Sequence, residues 1–182
     1  MKPVVLITYA VTAVLSTRCP FPWKEYNSDC YLFHSGEKTF KEAEKYCNGT
    51  SKIGCREASL VSVKDYNEFL FIRDLVYARS LNPLAFFMGG YTTAECPSGA
   101  WTDGSSYPIC TGDEHDNTDN CSTRCENMDE CTIEKCMVAN LENWLQSIEG
   151  IEGDGNFTAI VADYNCSTTE LPFVCKAKDV QN

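Results

Sequence analysis

The side chains best suited to chemistry lie between Cys110 and Cys136, CTGDEHDNTDNCSTRCENMDECTIEKC. Eight carboxylates (Asp113, Glu114, Asp116, Asp119, Glu126, Asp129, Glu130, Glu134) stand there against only Arg124 and Lys135. Asp113, Glu114, Asp116, Asn117 and Asp119 offer hard oxygen ligands, and Asp163 could join them from elsewhere in the fold. Ca2+ takes roughly six to eight such oxygens. The spacing is not that of an EF-hand, which needs a glycine inside its loop. The competing reading is a solvated, self-repelling acidic loop. With so few apolar residues the stretch builds no core of its own, so covalent cross-links must hold it.

Cross-links are available. Twelve cysteines, an even number, occur in 182 residues. In an exported chain that count implies a disulfide framework. Zinc at Cys121, Cys125, Cys131 and Cys136 is the weaker reading for the same reason. The two histidines, His34 and His115, lie in unrelated contexts, with no Gly-x-Ser-x-Gly or His-Glu-x-x-His motif beside them. No catalytic residue is assigned, and both histidines read as surface groups. Trp23 and Trp101 read as packing residues. Trp144 sits in Asn140–Gly155 with few apolar neighbours, and could stack on a sugar face or anchor a protein partner.

The chain opens MKPVVLITYAVTAVLS, one lysine followed by an apolar run from Val4 to Leu15. That layout predicts a signal peptide over 1–16, too short for a membrane span, and a secreted domain over 17–182. No later run is long enough to anchor the chain. About 166 residues suit one domain with a real core. The net charge of −11 disfavours nucleic acid and anionic membrane surfaces, which attract Lys/Arg patches. Four N-glycosylation sequons occur, at Asn48, Asn120, Asn156 and Asn165. Those at Asn120 and Asn165 have a cysteine in the middle, where a disulfide could block modification, so Asn48 and Asn156 are the expected sites.

The positioning elements follow from local patterns. Pro20 and Pro22 favour an extended entry, and Cys30-Tyr-Leu-Phe33 reads as a strand. Thr39-Phe-Lys-Glu42 is a capping-box pattern, and Phe40, Ala43 and Cys47 recur at helical spacing. Asn48–Glu57, with Gly49 and Gly54, reads as a loop. Ser62-Val-Lys-Asp65 offers a second box, before Phe69, Ile72, Leu75 and Val76 on one helical face; Pro83 ends that helix around Ser80–Pro83. Ala85–Met88 is a short buried strand stopped by Gly89-Gly90, and Trp101-Thr-Asp-Gly-Ser105 contains a tight turn. Ala159–Ala162 and Leu171–Val174 read as strands flanking a polar turn. Early helices followed by gathered strands point to α+β.

Cys-Pro-x-x-Trp at 19–23, Cys-Tyr at 30–31, the helix ending at Cys47, and Ala58-Ser-Leu-Val-Ser-Val63 form an ordered series. It continues with Phe87-Met-Gly-Gly90, Trp101-Thr-Asp-Gly-Ser105 and Pro172-Phe-Val-Cys175. From Cys19 to Lys176 the chain resembles a C-type lectin-like domain. The resemblance implies two helices packed on antiparallel β-sheets with a disulfide-rich long loop, here the 110–136 acidic insertion. It implies bridges Cys19–Cys30 and Cys47–Cys175, and one from Cys166 to an upstream strand. Cys136-Met-Val-Ala-Asn140 fits that strand best, with Cys121 as a substitute. Cys55, Cys96, Cys110, Cys121, Cys125 and Cys131 then remain, with fifteen possible pairings.

In that family the long loop usually carries calcium and sugar. It does so through a Glu-Pro-Asn or Gln-Pro-Asp tripeptide and a later Trp-Asn-Asp. This sequence departs from both. Between Trp101 and Cys166 the only proline is Pro108, with no carboxylate before it, and Val161-Ala162-Asp163 stands where Trp-Asn-Asp is expected. Asp163 is in place, but Ala162 has no oxygen to give. The resemblance therefore implies a secreted binding module rather than an enzyme, taking an extracellular carbohydrate ligand with the usual calcium and sugar motifs degraded. The expected ligand-binding residues are Asp113, Glu114, Asp116, Asn117, Trp144 and Asp163. Any Ca2+ would fall to Asp113, Glu114, Asp116, Asp119 and Asp163. The alternative is a calcium-independent protein-binding or antagonist module using the Cys110–Gly155 surface.

Overall fold

The computed structural model describes residues 19–50, 57–80, 85–97, 99–105, 128–140 and 165–178. The chain enters through a hairpin, β1 (Lys24–Tyr26) and β2 (Asp29–Lys38). Asn27 and Ser28 turn it with positive φ of 46° and 71°. A two-residue connection that matches strand twist needs left-handed backbone at both positions. The Cys19–Cys30 disulfide closes the hairpin from behind.

Helix α1 (Phe40–Thr50) starts at the expected box. The Glu42 carboxylate accepts from the Thr39 backbone N–H at 3.1 Å and from the Thr39 hydroxyl at 2.8 Å. The hydroxyl thus donates to the carboxylate, and these bonds hold the exposed Glu42 carboxyl below its ordinary range. The helix outlasts the expected boundary: Asn48–Thr50 form its last turn, with the Thr50 hydroxyl donating to Cys47 O at 2.9 Å. That bond supplies one of the carbonyls a helix end leaves without an internal partner.

Strand β3 (Ala58–Leu60), read from sequence only as a lead-in, pairs with the C-terminal strand. Helix α2 (Tyr66–Tyr77) is capped three residues later than expected. Asp65, not Ser62, accepts from Glu68 N at 2.9 Å, while Lys64 N donates back to Glu68 Oε2 at 2.7 Å. The reciprocal pair is a variant of the capping box, with aspartate as the cap and the glutamate reaching the backbone N–H of the residue before it. The helix ends at Tyr77 with Ala78 as its cap, short of Ser80–Pro83.

Strand β4 (Ala85–Thr92) runs straight through the two glycines expected to stop it. A Cβ on Gly89 would meet Leu60 O and Thr102 Oγ1 at 2.7 Å each. The glycine is there so that neighbouring chain can approach. Gly89 N donates to Val61 O, and Thr102 N to Gly89 O, each at 2.9 Å. Short β5 (Ala100–Trp101) leads into the turn closed by Gly104 N on Trp101 O, followed later by β6 (Lys135–Asn140) and β7 (Leu171–Ala177). The strand expected over Ala159–Ala162 lies outside the described residues.

Among the described residues the strands form one sheet ordered β1-β2-β7-β4-β5, with β3 also on β7 and β6 also on β4. Its pairs are antiparallel except β4 with β7, which are parallel where Phe87 faces Phe173. The α+β class stands, but the sheet is mixed, because the last strand returns into the middle and lies beside β4. Strand alternation divides the core in two. Phe40, Ala43 and Cys47 of α1 pack with Leu60, Phe87, Val138, Phe173 and Cys175 on one face. Phe69, Ile72, Leu75 and Val76 of α2 pack with Tyr31, Phe86, Met88, Met137 and Val174 on the other. Trp23 and Trp101 are buried, as expected. His34 is less of a surface group than its sequence suggests. Half-buried, it stacks on Phe173 with centroids 4.8 Å apart and meets the Tyr46 ring at 4.4 Å.

Candidate ligand-binding region and its scaffold

The residues to which the sequence assigns binding, Asp113, Glu114, Asp116, Asn117, Asp119, Trp144 and Asp163, lie outside the described residues. So do the signal peptide, His115 and Asn156. What the structure describes is the frame from which the two stretches 106–127 and 141–164 depart. Among the described residues no cluster of three or more His, Cys, Asp or Glu side chains could hold a metal ion, and no helix is long and apolar enough to cross a membrane.

The first departure is fixed electrostatically. Asp103, in the turn after β5, accepts from Ser105 N at 2.8 Å and from the Ser62 hydroxyl, and pairs with Lys178 at 2.8 Å. Burial pushes the Asp103 carboxyl up. The Lys178 ammonium and the Ser105 and Ser62 donors overcome that and hold it below its ordinary value. This ties the turn to the lead-in of α2 and to the residue after β7.

The chain reappears at Met128 and is met by α1. Lys41 Nζ donates to Cys131 O at 2.7 Å and Asp129 O at 3.3 Å. Met128 and Ile133 are half-buried against the α1 side of the core. Strand β6 then carries the chain along β4, with Asn140 opposite Ala85. The second stretch ends at Asn165. There the Cys136–Cys166 disulfide ties the return to β6, and Phe40 N donates to Cys166 O at 3.4 Å. The strand bearing Cys136 is thus the partner of Cys166, and Cys47–Cys175 joins the end of α1 to β7. Cys96 and Cys131, whose pairing the sequence left open, are disulfide-bonded as well. The described ends of both stretches are held by a strand, a disulfide or a charged side chain. Ligand-binding residues characteristically ride on loops mounted on such a frame.

Two buried glutamates complete the electrostatics. On the α1 side, Glu44 accepts from Leu60 N at 2.7 Å and from Asn48 Nδ2 at 3.2 Å. Burial pushes its carboxyl up to about 7, against the opposing pull of Leu60 N, the Thr102 hydroxyl and the Asn48 amide. On the α2 side, Glu68 pairs with the fully buried Lys176 ammonium of β7. Lys176 Nζ also donates to Ser62 O at 3.2 Å and lies 3.5 Å from Asp29. The Tyr31 hydroxyl donates to Glu68 Oε1 at 2.5 Å, and burial first, then Glu68, push that phenol well above its usual range. Sequence reasoning missed both glutamates. Glu68 was legible as the last member of an Asp-x-x-Glu box before an apolar run. Nothing local distinguished Glu44, an acidic residue within an amphipathic helix. Lys176 gave a faint signal, a lysine between two buried-strand residues, Cys175 and Ala177.

An α+β body with one helix against each side of a mixed sheet, disulfides at its N-terminal hairpin and last strand, and long stretches mounted on that frame defines a C-type lectin-like domain. No protein-family model matches the chain. It is 28% identical over 164 residues to Snaclec botrocetin subunit alpha of Bothrops jararaca, covering 87% of this chain and 97% of that protein. Its structure resembles the snake venom toxin convulxin with a TM-score of 0.53 and 26% identity, over 88% of this chain and 98% of that one. It also resembles SPL-2 of Saxidomus purpuratus, a Ca2+-independent C-type lectin, with a TM-score of 0.54 and 20% identity, over 90% and 96% of the two chains. These likenesses indicate a C-type lectin-like domain.

Proposed function

We propose that this is a secreted C-type lectin-like binding protein. Its mature domain spans 17–182, with the acidic 110–136 insertion inside it, and it takes an extracellular carbohydrate without the usual calcium site. The supporting observation is the frame itself. The Asp103 junction, the Lys41 clamp and the Cys136–Cys166 bridge hold the ends of the stretches that contain Asp113, Glu114, Asp116, Asn117, Trp144 and Asp163. The missing Glu-Pro-Asn geometry and the alanine at position 162 argue against calcium-bridged sugar. SPL-2 is a lectin of this fold that does without calcium. The lectin-like binding proteins that the chain resembles support a binding role.

Retention on mannose or galactose matrices, with elution by free sugar but not by EDTA, is the expected behaviour. A melting temperature unmoved by millimolar Ca2+ goes with it, because a cation bound only to the folded state must raise it. Elution by EDTA would mean instead that Asp113, Glu114, Asp116, Asp119 and Asp163 rebuild a calcium site. Absence of retention on a broad glycan array would overturn the carbohydrate reading. That outcome would favour a calcium-independent protein-binding or antagonist module, a second reading supported by the near full-length match to a snaclec and the likeness to a venom toxin.

A further inference from the structure

We propose that Asn48 carries an N-linked oligosaccharide, and that its linkage amide stays hydrogen-bonded to the buried Glu44 carboxylate, so that the sugar stands rigidly off the end of α1. The inference rests on the secreted reading above. Asn48-Gly-Thr50 is an acceptor sequon. In the fold Asn48 is exposed, so solvent reaches its side chain.

In the transfer, Asn48 Nδ2 attacks the anomeric carbon of a lipid-pyrophosphate-linked oligosaccharide. A C–N bond replaces the C–O bond, the lipid pyrophosphate leaves with the electron pair, and Nδ2 gives up one proton to a base. One N–H remains on Nδ2. That suffices for the bond to Glu44 Oε1, now 3.2 Å. Glu44 in turn is held by Leu60 N at 2.7 Å and is buried. A glycan is ordinarily mobile about its asparagine side chain; this one would be clamped to the core.

Folding order leaves the sequon accessible. Cys47, its immediate neighbour, is bridged to Cys175, 128 residues later. The α1 helix packs on β3, β4 and β7, all made after it. The partners that fix the end of α1 are therefore missing for most of synthesis. Asn165-Cys166-Ser167 is the opposite case. Its cysteine bridges to Cys136, 30 residues earlier and already made, and Asn165 Oδ1 accepts from Ser167 N at 3.0 Å in the folded turn. There, folding competes with modification.

The test is expression of the full chain in eukaryotic secretory cells, once with its own first 16 residues and once with a foreign leader in their place. Peptide mapping after amidase deglycosylation then reads each site. Asn48 is expected as Asp, the enzyme's product, and Asn48→Gln and Thr50→Ala each remove one glycan's mass. Asn48 recovered as Asn from protein secreted with either leader overturns the proposal. Export with the foreign leader alone overturns the secretion reading but leaves the Asn48 result standing. The clamp is read by NMR of the glycosylated Asn48 Nδ2 proton, which should shift with pH around 7 in the wild type and not in Glu44→Gln; a pH-insensitive resonance overturns it. Asn165 should be unmodified, and should gain sugar in Cys136→Ala, read in whole cells so that folding is not required. Equal Asn165 occupancy with and without Cys136 overturns the folding-order argument.

Discussion

The two faces of the sheet are held by different physics. All six cysteines of Cys19–Cys30, Cys47–Cys175 and Cys136–Cys166 lie in the core on the α1 face. The buried apolar cluster on the α2 face has none. On that face Phe71 stacks on Tyr26 at 4.6 Å and meets Tyr31 edge-on at 5.1 Å, and the Lys176–Glu68 ion pair is buried. Each helix brings one buried glutamate to its face. Glu44 has neutral donors, and Glu68 has an ammonium. The difference teaches that one small body can be held in two ways. The α1 face is cross-linked, while the α2 face relies on burial and a satisfied ion pair.

The largest effect expected from breaking this asymmetry is loss of Cys47–Cys175. Its loop of more than a hundred residues contributes about 5 kcal/mol by the chain-entropy estimate. Cys47→Ala/Cys175→Ala should lower the urea midpoint more than Cys19→Ala/Cys30→Ala, whose loop is short. Equal losses would mean that covalent topology is not what distinguishes the faces. The next effect belongs to the α2 face. Lys176→Met leaves Glu68 buried without its cation and should cost about 3 kcal/mol or more. Adding Glu68→Gln should recover much of that loss, since the amide keeps partners for Lys64 N and Tyr31 while removing the charge, and Asp29 retains Lys64 at 3.6 Å. Additive losses in this double-mutant cycle would show that the two residues are not coupled.

The same asymmetry explains what could be read in advance. The α1 face was legible because its devices are local or covalent. Phe40, Ala43 and Cys47 fall at helical spacing, Thr39 and Glu42 form a box, and the cysteines fit a known ordered series. The α2 face was legible only in its apolar stripe. Its N-cap was displaced to Asp65, because Ser62 is drawn instead to Asp103 and Lys176 by contacts far off in sequence. Gly89-Gly90 read as a stop, since a glycine that ends a strand and one that admits a neighbouring backbone look alike without that neighbour. The parallel pairing of β4 with β7 had no sequence signal, for it depends on where the last strand is inserted. The candidate binding residues were chosen by chemistry and by resemblance. Of that site the structure describes the mounting points.

The smallest expected effect sharpens the comparison most, because its sign differs between two carboxylates. Glu44 has its pKa raised from 4.5 to about 7 in the fold. A group that binds its proton more tightly when folded stabilises the fold fully below its unfolded pKa, and that contribution drains away as pH rises through the folded value. Wild-type protein should therefore lose stability from this residue between about pH 4.5 and 7, on the order of 3 kcal/mol at most, at 1.36 kcal/mol per unit. Glu44→Gln keeps an acceptor for Leu60 N and cannot ionise. The wild-type-minus-variant difference in unfolding free energy should thus fall across that window and be flat above it. Asp103 is the mirror case. Its carboxyl is held below its ordinary 3.8 by Lys178, Ser105 and Ser62 despite burial, so its contribution is present above that value and is lost as the solution becomes more acidic. Asp103→Asn should narrow the gap to wild type only on the acid side. If the Glu44→Gln difference curve is level from pH 4 to 8, the buried acid of the α1 face titrates normally. It would then not be a core group that neutral pH leaves poised between charged and uncharged.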